Sequence, residues 1–494
     1  MAHKTLRVLF AASELTPLAK VGGLGDVIGS LPQALVQKGV SVKIIIPKYE
    51  GIRLGANSEL LIRGFPVVLG RDIQYINIYK LPFRAGVDVI LVENEKYLSK
   101  GPVYFSRTAM VSGLTREIRR FLFFSKAVGE LVRQNFAISG WGGLRGIDLL
   151  HAHDWHTGAL VRLLKKHIPS LKIVFTIHNL ENQGIGNARG ISSWFGDDCF
   201  TPLENVPRRF ATKSRAQGLI PSANSLTGFT RVGKNFNFMR EGIEYADAVT
   251  TVSSTYAREI LTKKYGVGLE GALRVRAREK NLSGILNGID YDFWPAVARN
   301  KIGFQKRLGL RRDAGAPIFA LVSRLVRQKG IGLVMPIIEK FSSRGAQFIF
   351  LGQGERVYER MLVSIAKRNP GKVFTKIGFD EKLAHSIYGQ SDFFLMPSIF
   401  EPSGLGQMIS MHYGTVPIVR KTGGLCDTVA NGKTGFVFKK ENSASLASSI
   451  KEALACYARP HDFEKISKNC MMQDFSWNAS AREYVRLYKT VLGR

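Results

Sequence analysis

Apolar runs of strand length recur along both halves of the chain, and each is followed by a segment compatible with a helix. TLRVLFAAS, VSVKIIIP and KIVFTIHN are examples from the first half, and APIFALVSRL, QFIFLGQG and DFFLMPS are examples from the second. Their Val, Ile, Leu and Phe residues follow one another without polar alternation, which is typical of parallel strands covered on both faces. The pattern predicts an α/β protein with two doubly wound parallel sheets, each in a Rossmann-like domain.

The order of these segments also predicts the domain boundaries. We expect an N-terminal domain at residues 1–282, a C-terminal domain at residues 283–472, and a helix at residues 473–494 that crosses back to the first domain. Residues 181–238 are poor in strand patterns and rich in Gly, Asn, Arg and Phe, so we predict an insertion of loops and short helices there. The motif GGLGD of the first half returns as GGLCD in the second, a short match consistent with two related domains.

Charge and composition narrow the classes of function. The 494 residues include 70 Lys and Arg against 39 Asp and Glu, and this net charge of +31 raises a nucleic-acid-binding protein as one alternative. Because the basic residues are spread along the chain without a basic tail, we predict a solvated basic surface and no nucleic-acid partner. No apolar run reaches the roughly 18 to 20 residues of a membrane helix, so no membrane partner is expected. Four cysteines without CxxC or zinc spacing favour a reducing, cytoplasmic location.

The stretch FEPSGLGQ combines a carboxylate with a glycine turn. The apolar run DFFLMPSIF ends at Glu401, and a segment compatible with a helix follows the turn. In an open parallel sheet, ligands bind at the carboxyl ends of the strands, where the amides of Ser403 to Gly406 would face an anion. This arrangement suits a sugar nucleotide, since Glu401 could hold sugar hydroxyls while the amides hold the diphosphate. A carboxylate that merely caps the helix is the alternative interpretation.

Cationic side chains follow two other predicted strands. Arg324 ends a strand of the second half and Lys329 follows about one helical turn later, which suits groups that hold a diphosphate and stabilise a leaving nucleotide. Lys20 precedes Gly22 and Gly23 in the first strand-to-helix turn, where paired glycines let the backbone approach a ligand. This turn matches neither GxGxxG nor a Walker loop, so a surface lysine before a glycine turn stays the alternative there.

The sequence HAHDWH raises a metal-dependent hydrolase as a further class of function. Its order differs from the HxHxDH pattern of such hydrolases, and no second ligand cluster with matching spacing follows, so we predict no metal. The DYD at Asp290–Asp292 lies at the predicted hinge, and we interpret it as structural. His178 is a stronger candidate for a residue that contacts the ligand, because it ends a predicted strand with Asn179 beside it and should face the ligand.

Seven motifs together resemble the bacterial glycogen synthase and plant starch synthase family. In chain order they are KVGGLGDV, HAHDWHTG, FTIHNL, LNGID, SRLVRQKG, FEPSGLGQ and YGTVPIVRKTGGLCDTV, and they span nearly the whole chain. The resemblance implies the GT-B architecture, in which two Rossmann-like domains face each other across the active-site cleft. It also implies the retaining transfer of glucose from ADP-glucose to the non-reducing 4-hydroxyl of an α-1,4-glucan such as glycogen, without a metal or other cofactor.

The matching motifs imply a role for each of five catalytic residues. Glu401 would hold the 3- and 4-hydroxyls of the donor glucose, and the backbone carbonyl of His178 would stabilise positive charge at its anomeric carbon. Arg324 and Lys329 would bind the diphosphate and offset charge on the departing ADP, and Asp154 would contact the glucose or its acceptor. None of these side chains is an obvious nucleophile, so we expect same-face attack in which the departing phosphate takes the proton of the acceptor.

A second group of residues would bind the substrates. Lys20 would bind the diphosphate and help recognise the glucan, while the amides near Glu401 would support the donor glucose. Two further residues would lie near the base of the nucleotide. The implied binding residues are Lys20, Gly22, Gly23, Asn287, Gly378, Phe379, Ser403, Gly404 and Leu405.

Four positions depart from the pattern of the family. Ser403 stands where cysteine is usual, and Phe379 where tyrosine is frequent. Gly406 replaces a common threonine or asparagine, and Asn182 replaces a tyrosine. These changes concern selectivity for the base, so a synthase that prefers UDP-glucose is one alternative. A non-catalytic glucan-binding scaffold is the other, and the intact charged residues of the motifs argue against it.

Overall fold

The computed structural model describes most of the chain. The described residues are 5–69, 72–84, 86–105, 110, 114–134, 146–187, 190–191 and 235–494. Most of the predicted insertion at residues 181–238 therefore lies outside the described residues.

Strands and helices alternate over much of the described chain, with a run of consecutive strands at residues 41–93. The strands are β1 (Arg7–Ala11), β2 (Ser41–Pro47), β3 (Glu59–Leu69), β4 (Asp72–Pro82), β5 (Asp88–Glu93), β6 (Leu149–His153), β7 (Lys172–Ile177), β8 (Ile185–Asn187), β9 (Asn235–Asn237), β10 (Ala248–Thr251), β11 (Leu282–Gly284), β12 (Ile318–Val322), β13 (Gln347–Gly352), β14 (Val373–Ile377), β15 (Phe393–Met396), β16 (Val416–Arg420) and β17 (Phe436–Phe438). The helices are α1 (Gly23–Val36), α2 (Arg116–Arg133), α3 (Gly158–His167), α4 (Phe238–Tyr245), α5 (Ser254–Glu259), α6 (Glu270–Arg278), α7 (Lys301–Arg307), α8 (Ile331–Ser342), α9 (Arg356–Arg368), α10 (Glu381–Gln390), α11 (Gly406–His412), α12 (Gly423–Thr428), α13 (Ser443–Tyr457), α14 (Pro460–Met471) and α15 (Trp477–Val491).

Local sequence signals begin several of these helices. The side chains of Thr115, Asp380 and Asn442 accept a hydrogen bond from an amide of the first turn of α2, α10 and α13, respectively. Pro460 stands in the first turn of α14, where its missing N–H leaves no helical hydrogen bond unmade. No helix of the described chain has both the length and the hydrophobicity needed to cross a lipid bilayer.

The chain divides into two compact units. Unit 1 holds the described residues of Met1–Thr250, Ile260–Ser283 and Ala481–Arg494, and unit 2 holds Thr251–Glu259 and Gly284–Ser480. This division is not a test of the domain boundaries derived from the sequence, which remain predictions.

Unit 1 is built on a mainly parallel sheet. The strand order in the described chain is β11-β10-β7-β6-β1-β2-β5-β4-β3. β1 pairs in parallel with β2 and β6, whereas β4 runs antiparallel to both β3 and β5. The chain moves away from β1 on one side through β2 and on the other through β6, so the order reverses between β1 and β6. Ligands bind in such sheets outside the carboxyl ends of the strands at this reversal.

Unit 2 is built on a wholly parallel sheet of six strands. Their order is β14-β13-β12-β15-β16-β17, so the first and fourth strands of the unit lie side by side, as in a Rossmann sheet. The core between strands and helices is mainly aliphatic but includes aromatic rings, and the ring of Phe319 stacks on those of Phe348 and Phe393 at centroid distances of 5.3 and 4.8 Å. The predicted fold class, two doubly wound α/β units with parallel sheets, is confirmed.

Candidate active site

In unit 2, the loop after β15 brings Glu401 to the carboxyl edge of the sheet. Its carboxylate is 6% exposed, and Oε2 lies 2.6 Å from Lys329 Nζ. The hydroxyl of Ser398 donates to the same oxygen at 2.8 Å. Within the described residues no hydrogen bond reaches Oε1, so the carboxylate keeps one oxygen that can accept hydrogen bonds from a ligand. The two charges that the sequence singled out 72 residues apart are thus a direct ion pair.

The loops after β12 and β15 are joined to each other. Gln328 Nε2 donates to the carbonyl of Phe400 at 3.2 Å, and the amide of Ile399 donates to the carbonyl of Gln328 at 2.8 Å. Arg324 lies exposed at the end of β12, and its guanidinium is 3.4 Å from Gln328 Oε1. Arg324 has no carboxylate partner among the described residues, so its charge can meet an anion at this edge.

The turn after Glu401 presents backbone amides. Gly404 has a φ of +73°, a left-handed conformation that favours glycine, and its carbonyl accepts from Gln407 Nε2 at 2.9 Å. The amides of Gly404 and Leu405 donate to no described residue. The buried hydroxyl of Ser403 also has no partner among the described residues. The predicted anion cradle therefore has its amides available.

Paired glycines of the GGLCD motif lie directly under this loop. The amide of Gly424 donates to the carbonyl of Glu401 at 3.1 Å. A Cβ on Gly423 would lie 1.9 Å from that carbonyl oxygen, and a Cβ on Gly424 would lie 2.3 Å from the carbonyl oxygen of Ser403. Only glycine allows this close approach, so the motif positions the loop that carries the carboxylate.

Three other predicted residues of unit 2 lie apart from the ion pair. Gly378 and Phe379 follow β14, and the side chain of Phe379 is 78% exposed. Asn287 is buried, and its Oδ1 has no hydrogen-bond partner among the described residues. In the described part of the chain no hydrogen bond connects these residues to Glu401 or Lys329.

In unit 1, Lys20 follows β1 and is 43% exposed. Its ammonium lies 2.7 Å from Asp26 Oδ1 in the first turn of α1. Space is open around Gly23, where an added Cβ would meet no atom within 4 Å. The charge of Lys20 is therefore balanced within its own turn, at the edge where the strand order reverses.

Glu14 organises this glycine turn, although it was not among the residues predicted from the sequence. Its Oε2 accepts hydrogen bonds from the amides of Val21 at 2.8 Å and Gly22 at 2.7 Å. Its Oε1 accepts from the hydroxyl of Tyr104 at 2.8 Å. Gly22 was predicted to bind substrate, and its amide is held by the protein itself. The only sequence signal was an acidic residue shortly after the first strand.

Asp154 and His178 meet at the ends of β6 and β7. Asp154 Oδ1 accepts a hydrogen bond from the backbone amide of His178 at 2.7 Å. Burial raises the pKa of the Asp154 carboxyl to about 7, although this bond opposes the shift. Asp154 has a φ of +55°, which is rare for a residue with a side chain and is common at functional sites. The Asp154 carboxyl group therefore holds the backbone of His178 in place.

The neighbouring histidines have structural partners. His151 Nδ1 lies 2.7 Å from the hydroxyl of Tyr488, and its Nε2 lies 2.6 Å from Thr176 Oγ1. His153 Nδ1 lies 3.0 Å from His178 Nε2. No group of three or more His, Cys, Asp or Glu side chains in the described residues is arranged to hold a metal ion.

The raised pKa of Asp154 predicts a pH-dependent stability. The native chain holds this proton up to about pH 7, whereas the unfolded carboxyl releases it near its ordinary value of 3.8. The contribution of this proton to the free energy of unfolding is therefore complete below pH 4. It falls by about 4 kcal/mol as the pH rises to about 7. Asn at position 154 does not titrate, so Asp154→Asn does not lose this stability. The melting temperature of the variant minus that of the parent should therefore increase by about 5 °C from pH 5 to pH 8.

Asp72→Asn serves as the control for this measurement. Asp72 also lies in unit 1, but its side chain is 61% exposed. For Asp72→Asn, the difference in melting temperature from the parent should not change with pH. A gap between parent and Asp154→Asn that does not change with pH would contradict the buried, protonated carboxyl.

Two family models match the chain. A model described as the starch synthase catalytic domain matches residues 7–275, and one described as glycosyl transferases group 1 matches residues 305–469. Curated relatives extend the match to nearly the full length. The chain is 38% identical to the glycogen synthase of Clostridium beijerinckii over 99% of this chain and 100% of that protein. It is 36% identical to the glycogen synthase of Alkaliphilus metalliredigens over 98% of this chain and 100% of that protein.

Solved structures agree with these matches. The catalytic domain of starch synthase IV from Arabidopsis thaliana, bound to ADP and acarbose, superposes with a TM-score of 0.82 at 31% identity, covering 99% of this chain and 100% of that one. A sucrose-phosphate synthase from Thermosynechococcus elongatus matches with a TM-score of 0.61 at 18% identity over 99% of both chains, which shows similarity of fold alone.

Proposed function

Because the chain belongs to the glycogen and starch synthase family of glycosyltransferases, we propose that its donor is ADP-glucose and its acceptor the non-reducing end of an α-1,4-glucan. The chain is a hexosyltransferase of the glycogen synthase type. A new bond forms from C1 of glucose to the 4-hydroxyl oxygen of the glucan, while the bond from C1 to the phosphate of ADP breaks. ADP bound to the Arabidopsis relative supports this choice of donor.

The observation that carries the proposal is the Glu401–Lys329 pair beside the open amides of Gly404 and Leu405. A carboxylate with one unused oxygen accepts hydrogen bonds from sugar hydroxyls, and a lysine with free amides nearby suits a diphosphate. Arg324, exposed and without a carboxylate partner in the described chain, adds a second positive charge for the diphosphate.

The residues of unit 1 act on the sugar and the acceptor. The carbonyl of His178 stabilises positive charge at the anomeric carbon, and Asp154 keeps the His178 backbone in position through its amide. Lys20 binds the diphosphate once the substrate replaces Asp26 as the partner of its ammonium group. Asn287 of unit 2, with its buried and unpaired Oδ1, accepts a hydrogen bond from the glucose or the acceptor.

Retention follows from attack on the face that the ADP leaves. Neither carboxylate is assigned a nucleophilic role, since Glu401 is assigned to the hydroxyls of the donor glucose and Asp154 accepts the His178 amide. The departing phosphate oxygen takes the proton of the acceptor hydroxyl, so the step needs neither a protein base nor a metal. Arg324 and Lys329 offset the charge that develops on that phosphate.

Steady-state transfer to glycogen tests the proposal. ADP-glucose and UDP-glucose are offered in parallel, each with and without EDTA. We expect incorporation of glucose with a higher kcat/KM for ADP-glucose, and no loss of rate upon chelation. Preference for UDP-glucose would overturn the choice of donor, and glycogen binding without release of nucleotide would favour a non-catalytic scaffold. The cytoplasmic location and the absence of nucleic-acid and membrane partners stay predictions from the sequence.

Phe379 provides a test of base binding that leaves the fold intact. Its side chain is 78% exposed, so Phe379→Ala should change the stability by less than about 0.5 kcal/mol. Loss of stacking on the base should raise KM for ADP-glucose about tenfold with little change in kcat. Phe379→Tyr should keep the parental KM, and Tyr75→Ala removes another exposed aromatic as a control. An unchanged KM in Phe379→Ala would remove this residue from the base site.

A further inference from the structure

Two imidazole rings meet where β6 and β7 end. His153 Nδ1 lies 3.0 Å from His178 Nε2, and the ring centroids are 5.3 Å apart. The ring of His153 is fully buried and stacks on Phe10 at a centroid distance of 5.2 Å. The ring of His151 packs on it at 4.1 Å. These contacts fix the orientation of the His153 ring.

Both rings are neutral at neutral pH. Burial lowers the pKa of His153 well below its usual range and that of His178 to about 3. A single proton therefore occupies the hydrogen bond between the two nitrogens. It belongs either to His153 Nδ1 or to His178 Nε2, and the choice determines the tautomer of both rings.

The surroundings of the opposite nitrogen of His153 distinguish the two arrangements. His153 Nε2 is buried and has no hydrogen-bond partner among the described residues. If His178 donated the proton, His153 would carry its own proton on Nε2, a buried N–H without an acceptor. If His153 donates from Nδ1, its Nε2 carries no proton. Among buried backbone groups, N–H donors without an acceptor are rarer than carbonyl acceptors with unused lone pairs. We apply the same order of cost to the ring nitrogens, which favours donation by His153.

We propose that His153 is a positioning residue that donates its Nδ1 proton to His178 Nε2 and so holds His178 in the tautomer protonated at Nδ1. The ring of His178 then offers an N–H donor, not an acceptor, to a hydroxyl of the donor sugar. The second half of this inference rests on the proposed function, in which His178 contacts that sugar. The tautomer itself does not.

Two variants of His153 separate a specific donor from general packing. Asn carries an amide N–H near the position of Nδ1, whereas the amide of Gln reaches toward the position of Nε2. We expect His153→Asn to keep kcat/KM for ADP-glucose within about threefold, and His153→Gln to lower it about tenfold, the loss of one hydrogen bond. Melting temperatures of both variants establish that they are folded. His461→Asn, at a side chain that is 92% exposed, is the control.

NMR of the protein labelled with 15N-histidine reads the tautomer directly. The chain has nine histidines, and the signals lost in His178→Ala identify those of His178. We expect protonated Nδ1 in the parent and in His153→Asn, and a shift toward protonated Nε2 in His153→Gln. Protonated Nε2 on His178 in the parent, or equal kcat/KM for the two variants, would overturn the inference. A parent protein that transfers no glucose would reject the proposed function, while the NMR result would still decide the tautomer.

Discussion

Replacement of Glu401 with glutamine is expected to lower kcat for glucose transfer by about a thousandfold, which corresponds to about 4 kcal/mol of activation free energy. Glu401 Oε2 is held by Lys329 at 2.6 Å and by Ser398 at 2.8 Å, and Oε1 has no described partner. Glutamine removes the charge that strengthens hydrogen bonds from sugar hydroxyls and leaves Lys329 without a counter-charge. The measurement is steady-state transfer to glycogen, with each donor at saturation.

The control for Glu401→Gln is another carboxylate that pairs with a cation in the same unit. Glu339 lies 2.9 Å from a guanidinium nitrogen of Arg368, but both side chains are more than half exposed. Exposed pairs of this kind contribute between zero and about 1 kcal/mol to stability, so Glu339→Gln should leave both kcat and the melting temperature unchanged. If kcat of Glu401→Gln stayed within tenfold of the parent, Glu401 would not hold the reacting sugar.

Gly423→Ala is expected to lower kcat at least a hundredfold and to destabilise the protein by about 2 to 4 kcal/mol. Gly423 has a φ of +44°, and its added Cβ would lie 1.9 Å from the carbonyl oxygen of Glu401. The amide of Gly424 donates to this carbonyl at 3.1 Å, so displacing the carbonyl also disturbs that hydrogen bond. The clash therefore moves the loop that carries Glu401, and a shift of about 1 Å suffices for a loss of this size.

Gly432→Ala separates conformational strain from the clash. Gly432 has a φ of +71° in the same unit, but an added Cβ would meet no atom within 4 Å. Strain alone should lower the free energy of unfolding of Gly432→Ala by about 1 kcal/mol or slightly more and leave its kcat unchanged. Equal losses of kcat in the two glycine variants would contradict the assignment of Gly423 as the support of the Glu401 loop.

The sequence was most informative where a residue type combined with a local pattern. Arg324 and Glu401 each follow an apolar run and precede a helix, so their place at the carboxyl edge of a parallel sheet could be predicted from a few neighbouring residues. His178 was predicted for the same reason, whereas the role of Asp154 was implied by the resemblance of its motif to the family; the structure joins the two through the amide of His178. The predictions from strand ends needed only the strand-turn-helix order, not the order of strands within the sheet.

Two hydrogen-bond partners of predicted residues escaped prediction. Glu14 holds the amide of Gly22 and stands in no motif, while His153 stands in HAHDWH, a motif that gives no indication that its ring bonds His178. The GGLCD motif was noted as an echo of GGLGD and as part of a family motif, but its place beneath Glu401 was not anticipated.

The sequence by itself determined the α/β class, the two parallel sheets and the strand ends that carry the charged residues, because the period of apolar residues and the strand-end turns are local properties of the chain. The tertiary structure alone decided which strand ends are neighbours. β12 lies beside β15, so Lys329 and Glu401 form an ion pair across 72 residues of sequence. Burial and hydrogen bonding then set the protonation of Asp154 and the partner of His178, since both depend on atoms that only folding brings into contact.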